Sequence, residues 1–206
     1  QKEVFVQMLD DLDASYTHFS NATRNFDGDF VYGGDPEKWK RAVSALQLRI
    51  LMSLSKKEKE AELNVKQRFT AIVSQQVLFE SNADNFQLVY GTLSSQLYPL
   101  YLSRFNFYSG VSVTIIDTLK KYQDNRLFFY CNPAKAQTKA GIPDEDWDAY
   151  LGIDPSRVYS EILDLYTADS ISNINSRFFE IDNCQPTIQM GYAELNFVLA
   201  EACLRG

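Results

Sequence analysis

The segment Tyr98 to Tyr108, YPLYLSRFNFY, places five aromatic rings in eleven residues, with Arg104 and Asn106 between them. Sugar rings present flat C–H faces that stack on aromatic planes, while guanidinium and amide groups orient hydroxyls. Tyr101, Arg104, Phe105, Asn106, Phe107 and Tyr108 therefore form a candidate glycan platform. Each of these rings could equally fill core beneath a neighbouring helix. A second candidate is the acidic run Asp144-Glu145-Asp146-Trp147-Asp148 followed by Tyr150. There Trp147 and Tyr150 can act as rim contacts to a ligand or cover local apolar surface.

Other chemistries have less to stand on. His18 is the one histidine and has no Ser, Cys or second His at readable spacing, so neither a triad nor a metal site is indicated. Cys131, Cys184 and Cys203 are odd in number and widely spaced, with no C-x-x-C pair. Cys203, near the apolar face of the last helix, reads as a small buried residue. Asp27, Asp29 and Asp35 lack the alternating ligands and terminal Glu of a calcium loop and read as turn and capping residues. Asp10, Asp11 and Asp13 read as a solvated helix face. No metal and no cofactor is expected. A glycosidase needs two facing carboxylates, and spacing cannot exclude such a pair among 27 acids. The net charge of −7, with no Lys/Arg stripe, argues against nucleic acid, since phosphate neutralisation supplies most of that affinity. No apolar run approaches the roughly 20 residues needed to span a bilayer, and no signal peptide is visible.

The elements that must position these side chains are helical. Asp35 is a good N-cap and Pro36 suits the first helical position, where no N–H is missed. Trp39, Val43, Leu46, Ile50 and Leu54 then recur at helical steps on one face, with Lys38, Arg41, Gln47 and Ser53 elsewhere. Trp39, in that stripe, reads as scaffold. Similar periodicity predicts helices over 2–20, from Val65 to Val77, around Val113, Ile116 and Leu119, and from Tyr192 to Leu204 with Leu195, Leu199 and Ala202 buried. Asp154-Pro155 suggests a short helix over 155–166. Asn82 to Asn85 reads as a turn, with Phe86, Leu88 and Tyr90 alternating as a short strand. From Tyr130 to Gln189 periodicity is poor and prolines and glycines punctuate the chain, as in functional loops.

Three ordered motifs carry a resemblance. Tyr32, Gly34, Asp35, Lys38, Trp39, Ser44, Leu46, Leu48 and Arg49 form the first. Asp124-Asn125-Arg126-Leu127 with Tyr130 forms the second. Tyr192-Ala193-Glu194, Ala200-Glu201-Ala202 and Arg205-Gly206 form the third. Together the chain resembles the SusD/RagB family of glycan-binding lipoproteins, departing from its pattern at Asn125, where Pro is usual, and at Ala45.

The resemblance implies a mainly α, SusD-like fold of tetratricopeptide-like helix pairs with an irregular inserted ligand-binding region. It implies one partial domain over 1–206, with helical scaffold at about 2–80, 109–123 and 190–206 and loop-rich regions at about 81–108 and 130–189. Family members are longer at both ends, so the chain reads as a fragment, without the lipoprotein signal upstream or the helices downstream. The implied activity is non-catalytic binding of an oligosaccharide, polysaccharide or related nutrient, delivered to a SusC-type TonB-dependent transporter at the outer-membrane surface. The membrane would be met only through a lipid anchor outside this chain. A helical-repeat scaffold for protein partners without a ligand pocket, and a glycoside hydrolase, are the alternatives.

Overall fold

The structure is a computed structural model that describes residues 2–91, 96–99, 110–178 and 185–206. It is mainly helical. Among the described residues the α-helices are α1 (Lys2–Ser20), α2 (Pro36–Ser53), α3 (Val65–Gln75), α4 (Val113–Lys121), α5 (Arg126–Tyr130), α6 (Lys135–Lys139), α7 (Tyr159–Thr167) and α8 (Tyr192–Arg205), with strands β1 (Phe86–Leu88) and β2 (Thr187–Met190). Two compact units result, residues 1–89 with 186–206, and residues 90–185. The segments 2–80 and 190–206 of the expected scaffold fall in the first unit, and 109–123 falls in the second.

In the first unit α2 is central, packing against α1, α3 and α8. Its start follows the sequence reading. The Asp35 carboxylate accepts the Glu37 N–H at 2.9 Å, and Pro36 occupies the first turn. Leu48 and Leu51 are fully buried, each stabilising by about 1.5–3 kcal/mol relative to exposure. Because neighbours cover it on several sides, α2 buries more than the Trp39 to Leu54 stripe. Gln47, expected on the polar side, is only 1% exposed. Its Nε2 donates to Asp13 Oδ1 at 2.6 Å, which offsets part of the cost of that burial, while its Oε1 is buried without a partner among the described residues. Asp10 and Asp13 also receive the Arg68 guanidinium at 2.5 and 2.9 Å, so this face of α1 is tied to α3 as well as solvated.

The turn before α2 requires glycine. Gly34 has φ +75°, and a Cβ there would lie 1.8 Å from the Phe26 carbonyl oxygen. Asp29 organises the same turn, Oδ1 accepting Val31 N–H at 2.9 Å and Oδ2 accepting Tyr32 N–H, Gly34 N–H and the Trp39 indole N–H at 3.2, 2.9 and 2.8 Å. Trp39 stacks on Phe19 and meets Tyr32 and Phe86, in keeping with a scaffold role. The first and third motifs converge. Arg49 of α2 donates through Nε and one Nη to the Glu194 carboxylate of α8 at 2.6 and 2.5 Å, and to the Gln189 carbonyl at 2.7 Å. β1 and β2 pair antiparallel, Gln87 opposite Ile188.

The last helix corrects one expectation. Cys203 is exposed, as are Phe197 and Leu204. Leu195 is buried, and Cys203, eight residues on, is rotated roughly 80° from it at about 100° per residue, on the rim of a groove that α2 also lines. Val73 of α3 is also exposed. With Leu51, Met52, Val65, Phe69 and Ala202 it lines an open groove of about 540 Å³.

The second unit has its own core of Val111, Ile116, Leu127, Cys131, Ala149 and Tyr150. Single β-bridges join Gly110 to Asn173, Ser112 to Ile153 and Cys131 to Ile174. The 112–153 bridge needs Gly152, since a Cβ there would sit 2.2 Å from Val113 Cα. Periodicity missed α5 and α6, which are five residues each. The start of α7 moves as well. Asp154 accepts the Ser156 N–H and hydroxyl in a local turn, and the helix begins at Tyr159.

Candidate functional site

Tyr101, Arg104, Phe105, Asn106, Phe107 and Tyr108 lie outside the described residues. Their described neighbour Tyr98 is half-buried and meets Tyr90 edge-to-face at 4.9 Å between centroids. The two remaining candidates are both described. Asp146 accepts the Asp148 N–H and starts a short 3₁₀ turn, Trp147–Ala149, that lays the Trp147 indole against Phe128 at 4.7 Å. Trp147 is half-buried, so part of its ring stays available. Tyr150 is different. It is 3% exposed, and its hydroxyl donates to the Asp144 carbonyl at 2.9 Å. Burial, helped by the nearby Asp144 carboxylate, pushes its phenol up to about 12. Tyr150 thus holds the acidic loop onto the core and offers no open ring face.

The structure assembles a second aromatic surface that sequence reading did not single out as a site. Asp124 Oδ1 accepts the Arg126 N–H at 3.0 Å, and the Arg126 side chain returns to the same carboxylate, holding it below the usual carboxylate range. This fixes the start of α5. Leu127 points inward and is fully buried, Phe128 is half-buried, and Phe129 and Tyr130 turn outward at 40% and 43% exposure. The Cys131–Ile174 bridge continues this edge. Asn132 N–H donates to the Asn173 carbonyl and Asn175 N–H to the Tyr130 carbonyl, each at 2.8 Å.

Asn175 then builds the partner segment. Its Nδ2 donates to the Phe128 and Cys131 carbonyls and its Oδ1 accepts the Arg177 N–H, starting the turn Ser176–Phe178. That turn brings the Arg177 guanidinium over the Phe129 ring, 4.3 Å from its centroid. Phe178 meets Phe129 nearly perpendicular at 5.8 Å and Tyr130 at 6.4 Å. The Arg177 Nε is buried without a hydrogen-bond partner, as is Asn173 Oδ1. Such a surface can stack a pyranose ring and read its substituents with charged donors. In sequence, Phe129 and Tyr130 lay inside the second motif, where they served only as markers. Arg177 is 48 residues away from Phe129, and no local signal pairs them.

Among the described residues no group of three or more His, Cys, Asp and Glu converges as a metal site, and no helix is long and apolar enough to cross a membrane. Cys131, 1% exposed, has its thiol pushed up to about 11 by burial, and it is inert packing rather than a nucleophile.

A SusD-like family model, described as starch-binding and associating with the outer membrane, matches residues 1–206. A solved SusD homologue of Bacteroides fragilis is 42% identical with a TM-score of 0.77, its match covering all of this chain and 44% of that one. A protein of Bacteroides vulgatus, whose suggested role is nutrient binding at the outer membrane, is 34% identical with a TM-score of 0.79 over all of this chain and 45% of that one. A chitin-binding protein matches at 25% identity and a TM-score of 0.67, over all of this chain and 44% of its own. The chain thus spans a little under half the length of the solved relatives it matches. No curated protein matches it.

Proposed function

The chain belongs to the SusD-like family, and from that premise we propose that it is part of a non-catalytic glycan-binding protein of the outer-membrane surface. In this reading residues 1–206 form part of one SusD-like domain. The longer protein captures an oligosaccharide or polysaccharide and hands it to a SusC-type TonB-dependent transporter, held to the membrane by a lipid anchor outside this chain. Ring contacts come from Phe129 and Tyr130, and also from Tyr101, Phe105, Phe107 and Tyr108, with Arg104 and Asn106 orienting hydroxyls and Trp147 at a rim.

The observation that carries this reading is the outward-facing ring pair Phe129 and Tyr130 with a guanidinium stacked on it, in a chain whose whole length matches a starch-binding family. Exposed rings beside a planar cation suit sugar faces and substituents better than a purely apolar partner. The chitin-binding relative adds support for a glycan ligand. Calorimetric titration of the full-length protein against a panel of polysaccharides tests the proposal. Binding without release of reducing ends is expected. Absence of binding to every glycan, or cleavage of one that binds, overturns it. Delivery is tested separately by co-purification with the transporter from outer membranes.

A further inference from the structure

We propose that the surface formed by Phe129, Tyr130, Arg177 and Arg126 is a subsite for a carboxylated sugar, a uronic or sialic acid residue. This rests on the glycan-binding reading above and narrows its ligand class. Arg41, Arg49, Arg68, Arg126, Arg157 and Arg205 each meet a carboxylate within 4.0 Å, and Arg24, which meets none among the described residues, is exposed to solvent. Arg177 meets none among the described residues. It is half-buried with its Nε shielded and unpartnered, and its terminal nitrogens donate to no described residue.

A guanidinium stays charged at any ordinary pH and presents a planar fork of donors. The Phe129 ring beneath it, 4.3 Å from the guanidinium carbon, restrains the group without supplying a hydrogen-bond acceptor oxygen. A partly desolvated, oriented fork that meets no acceptor among the described residues is what bidentate recognition of a carboxylate needs, because the entropy of ordering the side chain has been lost before the ligand arrives. A neutral sugar would cover the cation and leave it unpaired, a cost that discriminates against it.

Arg177 sits beside a ring and a second guanidinium. Tyr130 presents a ring beside it, 43% exposed, on which the flat face of a pyranose can lie. Arg126, four residues before Tyr130 on α5, brings a second guanidinium to the same helix face, paired with Asp124. The Asp124 carboxylate is neutralised by its pair with Arg126. Among the described residues, an anion approaching Tyr130 therefore meets one guanidinium, that of Arg177, with no carboxylate paired to it, on a chain whose net charge is −7.

The experiment is titration of the full-length protein at low and moderate salt with tetragalacturonate, a hyaluronan tetrasaccharide and sialyllactose, beside the neutral probes maltotetraose and chitotetraose. Arg177→Gln, Arg177→Lys and Tyr130→Ala are compared with the parent, each checked for an unchanged circular-dichroism spectrum. At least one acidic probe should bind at least tenfold more tightly than the neutral ones. Its affinity should fall at least tenfold in Arg177→Gln, less in Arg177→Lys, and on methyl esterification of the ligand carboxylates. Equal binding of an acidic probe by parent and Arg177→Gln overturns the inference. Binding of neutral probes alone also overturns it and leaves the glycan-binding reading standing. No binding of any probe removes both. Should Arg177→Gln fail to fold, the esterified ligand on the parent protein decides alone.

Discussion

Removing the Asp29 carboxylate should destabilise the turn that launches α2 by a predictable and graded amount. Four N–H donors converge on it, from Val31, Tyr32, Gly34 and the Trp39 indole. A hydrogen bond to a charged group contributes about 1.5–3 kcal/mol net, but these donors are in a half-exposed turn where water replaces some of the loss, so Asp29→Ala should cost about 2–4 kcal/mol in total. Asp29→Asn is the sharper probe. Its single acceptor oxygen can be turned to the side that receives Tyr32, Gly34 and Trp39, leaving an amide NH₂ against the Val31 N–H. It should cost about 1–2 kcal/mol, less than Ala. The pH dependence has a fixed sign. Burial tends to raise the Asp29 carboxyl, but the N–H donors outweigh it and hold the group below its usual range. A depressed carboxyl contributes stability that is complete above the unfolded value near pH 4 and is lost as pH falls through the lower folded value, so the gap between parent and Asp29→Ala should close on acidification below about pH 4. Urea unfolding followed by tryptophan fluorescence at pH 7 and pH 3 reads all of this. An Asn variant less stable than Ala, or a gap unchanged at pH 3, refutes the reasoning.

Gly34→Ala should be worse than a helix-propensity change, because the new methyl meets the Phe26 carbonyl at 1.8 Å and the residue must hold φ +75°; a loss of about 2 kcal/mol or more in the same urea assay is expected, and a neutral result would show that the turn rearranges freely. The cysteines should separate by accessibility. In a Cys184→Ser background at pH 8, Cys203 should react with a disulfide reagent within minutes, and Cys131, whose thiol burial pushes up to about 11, only after denaturation. Two fast thiols in that background would contradict the packing of the second unit.

The helix starts and apolar stripes were legible because their causes are local. Asp35 and Pro36 fix the start of α2 within a few residues, and the periodicity of Val43, Leu46 and Ile50 needs only a helix and one partner. What periodicity does not contain is the number of partners. Gln47 looked polar-facing until α1 arrived with Asp13 to receive it, and Cys203 looked buried because Leu195 and Leu199 define a stripe that α8 follows only part way. Asp154 failed for a different reason, since the same carboxylate that can cap a helix can also bond Ser156 two residues on, and the chain took the second option. The candidate surface divides the same way. Phe129 and Tyr130 could be read as rings on a short helix, but their cation comes from a turn positioned by Asn175, a tertiary arrangement without a sequence period. Tyr150 shows the reverse error, an aromatic in an acidic loop that proved to be its anchor.

The pairing of β1 with β2 has a consequence for how such a chain can vary. Gln87 and Ile188 are bonded neighbours in space although about a hundred residues separate them, so the first unit closes upon itself without reference to what the intervening stretch contains. Closing a loop costs only about 0.6 kcal/mol more for each doubling of its length. Insertions, deletions and wholesale replacement between the two strands therefore press lightly on the stability of the helices around α2. The two-stranded ribbon works as a splice point, across which one scaffold can carry different intervening sequences without being redesigned.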